Sequence, residues 1–232
     1  MSQPPELPPG QRAIDRFPRF GLNQFADRFP REPRRIALEV KGDVETEIVV
    51  SEEDLSDLPR IEQRSDFHCV TTWTKTALRW GGFRFADFFE RIVRPRANPE
   101  PESTFVILRG QDGARSSLPL EDLLAPGVLL ADTLDGEPLS IEHGAPLRLV
   151  APDHYGYKNV KHLSAIGFWR DDRNFRPSAF RFMDHPRARV ALEERGRGVP
   201  GMLLRYLYRP LVGPTIRRFA RASASRSVEG PG

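Results

Sequence analysis

The chain has 232 residues, with one cysteine, 22 prolines, 18 glycines, and 35 Lys+Arg against 32 Asp+Glu. A single cysteine excludes an intramolecular disulfide framework, a cysteine-rich zinc site and a cysteine-ligated iron–sulfur cluster within one chain. No apolar run approaches the roughly 20 residues of a transmembrane helix, and Met1-Ser2-Gln3-Pro4-Pro5-Glu6 shows no basic start before an apolar stretch, so the expected setting is cytoplasmic.

Residues 1–35, rich in Pro and Arg with Phe17, Phe20, Phe25 and Phe29, predict an extended arm that pins aromatics onto a body. Residues 36–50 predict a hairpin turning at Gly42-Asp43. Ser51 then caps a short helix with Glu52, Glu53 and Asp54 in its first turn, where carboxylates suit the helix dipole. Asp66 to Thr72 reads as a strand with Cys69 near its centre. Phe85, Phe88, Phe89 and Ile92 form one stripe of an amphipathic helix over 85–93. Further strands are predicted at 104–109, 128–132, 147–151 and 162–169, with a helix opened by Pro119 and running through Leu123 and Leu124. Short strands separated by Gly/Pro turns, with a few short helices, predict a sheet-rich α+β body over 36–184.

Residues 185–232 differ from the body. They hold ten arginines and three glutamates, a net +7, which leaves −4 on the first 184 residues of a chain whose total is +3. Helices are predicted over 188–195 and over 200–209, the second starting at Pro200. A basic extension on a mildly acidic body points to a partner for the extension.

The lone Cys69 lies in Asp66-Phe67-His68-Cys69-Val70-Thr71-Thr72-Trp73. A lone cysteine is most often a small buried hydrophobe. A nucleophilic thiolate needs a base, and neighbours on a strand point to opposite faces, so His68 is badly placed to serve. A thiolate on a soft metal needs no base, because coordination deprotonates it. Other ligands must then come from histidines, carboxylates or an organic cofactor. In a second constellation Arg148 stands inside an apolar strand, and Lys158 and Lys161, half of all lysines in the chain, follow the turn at Gly156. Three cations converging with loop amides suit a phosphate or another oxyanion. The plainer alternative is a solvated loop with Arg148 snorkelling at a strand end.

Four patches follow one another across residues 35–170: Asp66-Phe67-His68-Cys69-Val70 with Trp73 and Trp80-Gly81-Gly82; Asp135-Gly136-Glu137-Pro138-Leu139; Gly144-Ala145-Pro146-Leu147-Arg148-Leu149-Val150-Ala151-Pro152; and Tyr155-Gly156-Tyr157-Lys158-Asn159-Val160-Lys161. In this order they resemble the sulfite-oxidase-type molybdopterin oxidoreductases, the small single-domain bacterial members above all. The resemblance implies a sulfite-oxidase-like fold, and molybdenum carried by one molybdopterin dithiolene with Cys69 as the protein's metal ligand. It implies that Arg148 binds the phosphate side of the pterin and that Asn159, Val160 and Lys161, with Lys158 beside them, form the loop that closes on the cofactor. His143 stands where relatives carry Asn, His162 where they carry Trp or Ser, and Asn23 corresponds to an N-terminal Asn that touches the cofactor in some members. No haem is expected.

The chemistry implied is two-electron oxo transfer on a small oxyanion or sulfoxide-type substrate, with a separate electron-transfer partner. His68, Thr71 and Thr72 are near enough in sequence to hydrogen-bond the thiolate. Arg79, Arg84, Arg109, Arg115 and the loop 112–117 are candidates for the substrate pocket. Two other classes compete: a metal-free thiol enzyme built on Cys69, and a non-catalytic module whose basic extension docks an anionic membrane, a nucleic acid or a protein. The extension carries no recognised nucleic-acid motif, so no nucleic-acid partner is expected. It suits an electron partner, a membrane surface or a homodimer mate.

Overall fold

The computed structural model describes residues 7–229, so the reading of Met1 to Glu6 lies outside it. Two mixed sheets form the body. The first is built on β4 (Arg60–His68) and β5 (Trp73–Arg84), a long hairpin, with β8 (Leu129–Leu134) on the other side of β5 and β10 (Arg148–Val150) beyond it. The short β1 (Arg12–Ala13) runs parallel to the start of β5, and β9 (Glu137–Pro138) pairs with β8. The second sheet has the order β3 (Ile48–Ser51), β2 (Ala37–Gly42), β11 (Leu163–Trp169), β6 (Phe105–Gly110), β7 (Arg115–Pro119), antiparallel except where β11 meets β2.

The period-2 pattern of β2 sends Leu38 and Val40 inward while Ala37 and Glu39 face out. Their buried side meets Leu108 and Ile166 of the same sheet, Phe83 and Leu130 of the other, and Phe85, Phe88 and Ile92 from a helical stretch. That stretch is α2 (Phe85–Phe88), a π turn (Phe89–Val93) and α3 (Arg94–Ala97), ended by Asn98 in the left-handed region. The predicted hairpin at 36–50 is β2–β3. Ser51 caps α1 (Glu52–Ser56) in a reciprocal capping box with Asp54.

Three expectations are corrected. The strand expected over Asp66 to Thr72 stops at His68, and residues 69–72 make the turn into β5. Thr72 adopts a φ of +84°, so no glycine marks this turn. The strand β7 precedes α4 (Leu120–Leu123), where only the helix was expected. The helix expected over 188–195 is a series of turns. Ala188 and Glu193 have positive φ, and the Glu194 carboxylate accepts both the Arg189 backbone N–H and its guanidinium, which ties the segment into a loop. The expected C-terminal helix is α5 (Gly201–Tyr208), and α6 (Val212–Glu229) follows. Phe219 and Ala222 of α6 pack on Phe25 and Ala26 of the arm. Among the described residues no helix is long and apolar enough to cross a membrane.

Candidate functional site

Cys69 opens the turn between β4 and β5. Its N–H donates to Trp73 O at 2.8 Å, Thr72 N–H donates back to its carbonyl at 3.1 Å, and Gln11 Nε2 donates to the same carbonyl at 3.1 Å. Arg195 fixes the turn from the C-terminal side by donating to Val70 O at 2.6 Å. The thiol is 7% exposed, with Thr71 Oγ1 at 3.1 Å from Sγ, and burial pushes its pKa up to about 11. A free thiol there is protonated at neutral pH, and among the described residues no base hydrogen-bonds it. His68 ends β4, hydrogen-bonds Thr74 Oγ1 through Nδ1 at 2.8 Å, and lines neither cleft described below. Metal-free nucleophilic chemistry at Cys69 therefore has no support in the geometry.

Two adjoining clefts meet at this turn and hold about 980 and 920 Å³ of empty space, mouths included. They share Phe20, Val70, Gly156, Tyr157 and Lys161. Cys69 lines one, with Phe17, Trp73 and Asn23; Asn159, Val160 and His162 line the other, with Arg19 and Asp112. Gly156 lets the loop lie flat on the Phe67 ring, because a Cβ there would stand 2.2 Å from it.

Arg148 is fully buried and forms no ion pair among the described residues. Its guanidinium donates to the carbonyls of His143 (2.8 Å), Leu149 (3.3 Å) and Asn159 (3.4 Å), and lies 4.8 Å from the Trp80 ring centre. Burial lowers its pKa to about 9. A buried cation held by carbonyl dipoles and aromatic faces, with no counter-charge among the described residues, is a costly arrangement that an incoming anion relieves. The snorkelling alternative is thereby excluded. Lys161 donates to Glu142 O at 2.8 Å, and burial, then the charges of Arg148 and Arg19, lower it to about 7.

The remaining sequence-predicted residues fall into place unequally. Asn159 ties the loop to itself: its Oδ1 accepts from Ala151 N–H at 2.7 Å, and its Nδ2 lies within 3.4 Å of the carbonyls of Ala151, His154 and Tyr155. His143 stacks on Phe17 at 4.7 Å, with Nδ1 buried and without a hydrogen-bond partner among the described residues. Asn23 is exposed where it lines the Cys69 cleft. Lys158 is not brought to the clefts. Its ammonium is fully buried and donates to Ser117 O at 2.9 Å and Asp184 Oδ1 at 3.2 Å. Of the three expected cations only Lys161 lines these clefts; Arg148 lines neither and stays a candidate because, unlike Lys158, it has no counter-charge among the described residues. Of the four arginines proposed for the substrate pocket only Arg115 lines either of these two clefts; Arg79 lines a separate one.

One residue at the site, Arg19, is not marked in the sequence, and His162 is marked there only as a departure from relatives. Arg19 is buried, donates to the carbonyls of Ala26, Phe25 and Arg28, and has no ion pair among the described residues. Only its place among the arm's aromatics hinted at it. His162 is held at a φ of +53°, and its Nδ1–H donates to Ala145 O at 2.6 Å, which leaves Nε2 as the acceptor.

Burial lowers both His143 and His162 to about 4. Between that value and the ordinary 6.5 the unfolded chain binds protons that the folded chain does not. The contribution of these two histidines to stability is therefore complete above pH 6.5 and is lost as pH falls towards 4, with about two extra protons taken up by them on unfolding. Urea midpoints of the cofactor-free protein at stepped pH are expected to show that slope, and His143→Phe is expected to remove about half of it.

Among the described residues no group of three or more His, Cys, Asp or Glu side chains can hold a metal. A metal at Cys69 must arrive with most of its own ligands, as it does on a dithiolene. The anion-free Arg148, the orphaned Nδ1 of His143 and the single thiol all fit a phosphate-bearing organic cofactor that carries its own metal.

Fold and site suit an enzyme whose organic cofactor brings its own metal. The model of the oxidoreductase molybdopterin binding domain matches residues 26–175, and the chain belongs to that family. It is 36% identical over 166 residues to the uncharacterized oxidoreductase YuiH of Bacillus subtilis (strain 168), covering 72% of this chain and 80% of YuiH. It is 31% identical over 186 residues to the protein-methionine-sulfoxide reductase catalytic subunit MsrP of Gluconobacter oxydans (strain 621H), covering 67% of this chain and 58% of that one. The sulfane dehydrogenase SoxCD from Paracoccus pantotrophus superposes with a TM-score of 0.51 at 25% identity, covering 58% of this chain and 38% of that chain. The chain is thus a molybdopterin-dependent oxidoreductase of the sulfite-oxidase type. It spans little more than half the length of the MsrP relative.

Proposed function

We propose that the substrate is a sulfoxide-type compound, reduced to the thioether with two electrons and two protons and release of water. One observation carries this reading: the cleft lined by Cys69 is walled by Phe17, Phe20, Val70, Trp73, Met183 and Leu211, and Lys161 is its only charged lining residue among those described. A sulfite or nitrate ion entering there would lose its hydration against apolar walls with one cation to offset the cost. A neutral S=O group with an alkyl body suits such walls. The name of the MsrP relative, a methionine-sulfoxide reductase, agrees with this.

When bound, the molybdenum–molybdopterin group supplies the two-electron oxo transfer. The chain's residues do the rest. Cys69 Sγ would ligate the metal, with Thr71 Oγ1 placed to hydrogen-bond the sulfur and tune it. Arg148 and Lys161 would neutralise the phosphate of the pterin, Asn159 holds their loop closed, and His143 Nδ1 and His162 Nε2 offer hydrogen bonds. Phe17, Phe20 and Trp73 keep water from the reacting face. Electrons would come from a separate protein.

Protein purified from a host competent in molybdopterin synthesis is expected to hold about one molybdenum per chain. It is expected to reduce methyl sulfoxides with a viologen donor and to leave sulfite unoxidised by ferricyanide. Sulfite oxidation without sulfoxide reduction would overturn the substrate, and metal-free protein from such a host would overturn the cofactor.

A further inference from the structure

The helix α5 buries Leu204 and Tyr208 and exposes Met202, Leu203, Tyr206 and Leu207, each more than half accessible. At 100° per residue those four fill an arc of about 140°. Arg205 and Arg209 flank it on one side. Leu211, exposed in the turn that follows the helix, lines the Cys69 cleft together with the buried Tyr208. Contiguous apolar surface of this kind marks a contact with something.

The charges around it are mainly positive. Arg195 and Arg205 share the single carboxylate of Glu193, at 3.1 and 3.5 Å. Arg197 and Arg209 are exposed and form no ion pair among the described residues. Arg12, Arg205 and Arg209 line a small cleft with Tyr206 and Thr72, and the buried Thr72 Oγ1 there has no hydrogen-bond partner among the described residues. That cleft offers guanidinium forks and a hydroxyl at the edge of the apolar row, as a phosphodiester needs.

We infer that this face, the α5 apolar row with its arginine collar, docks the protein on an anionic lipid surface, with a headgroup phosphate in the Arg12–Arg205–Arg209 cleft. A second copy fits poorly, since a two-fold interface would set the arginines of one copy against those of the other. Arginine beside Leu and Tyr on a helix of this kind is the composition of interfacial helices.

The test is co-sedimentation of the full-length, cofactor-loaded protein with vesicles of phosphatidylcholine alone or mixed with phosphatidylglycerol. Binding is expected only to the anionic vesicles at low salt, and to disappear near about 0.5 M NaCl. Arg197→Ala with Arg209→Ala is expected to weaken the partition about 30-fold, since each arginine near an anionic surface counts for about five-fold. Leu203→Glu with Leu207→Glu is expected to weaken it at least about tenfold. Both side-chain pairs are exposed, so molybdenum content and sulfoxide turnover of the loaded enzyme serve as unchanged controls. The inference is overturned if wild type ignores anionic vesicles at low salt, if binding does not depend on lipid charge, if neither pair of substitutions weakens it, or if the Leu pair instead dissolves a dimer seen in solution.

Discussion

Arg148→Met should empty the protein of pterin while the chain stays folded, whereas Cys69→Ser should keep much of the pterin and lose turnover. The two residues are expected to hold different parts of one group. Arg148 is a fully buried cation held by three carbonyls, with its pKa lowered to about 9 by burial. Removing one partner of a buried charge pair costs about 2–5 kcal/mol, or a 30- to 4,000-fold loss of affinity. Without cofactor the substitution has opposing effects. It loses hydrogen bonds of about 1 kcal/mol each but relieves a desolvated charge, so the unfolding midpoint should change little. Cys69→Ser replaces a soft sulfur by an oxygen that remains a protonated alcohol at neutral pH, which removes the protein's ligand and leaves Arg148 and Lys161 intact. Pterin fluorescence and molybdenum, each per folded chain, separate the two outcomes. Full pterin content in Arg148→Met would show that the cation serves the fold alone.

The parts of this site that were legible in the sequence are those whose signal is local. Ser51 three residues before Asp54 announces a capped helix. The stripe of Phe85, Phe88, Phe89 and Ile92 announces the buried face of a second helical stretch, α2 with its π turn, and Arg148 between leucines announces a cation where none is cheap. The turn at Cys69 was hidden because Thr72 takes a left-handed φ without being glycine, sustained by contacts with Gln11 and Arg195, 58 and 125 residues from their partners in the turn. The segment 188–195 has helical composition, yet Glu194 binds Arg189 and overrides it. Arg19 could not be assigned, because its burial depends on the arm meeting Phe219 at the far end of the chain. In each miss, long-range contact decides against local propensity.

Lys158 shows the same conflict on a single side chain, and it carries the largest stability effect expected. Three residues from Lys161, it reads as part of the same phosphate clamp. The 3-10 turn Gly156–Lys158 instead carries its ammonium into the protein, where Asp184 and the Ser117 carbonyl receive it. Burial lowers its pKa, and the Asp184 carboxylate works against that shift. Asp184→Ala leaves an ammonium with no counter-charge at zero exposure, and breaking such a pair costs about 3–5 kcal/mol. For a chain of this size that corresponds to a fall in Tm of roughly 6–20 °C. The double variant Lys158→Met, Asp184→Leu is expected to recover most of the loss, because an apolar pair of similar volume replaces a buried ion pair at little cost. Being stable, it also measures what Lys158 does for the cofactor. Wild-type pterin content in the double variant confirms a lysine that serves the fold. An empty site in that folded variant would return Lys158 to the clamp and break the division of labour drawn between the two lysines.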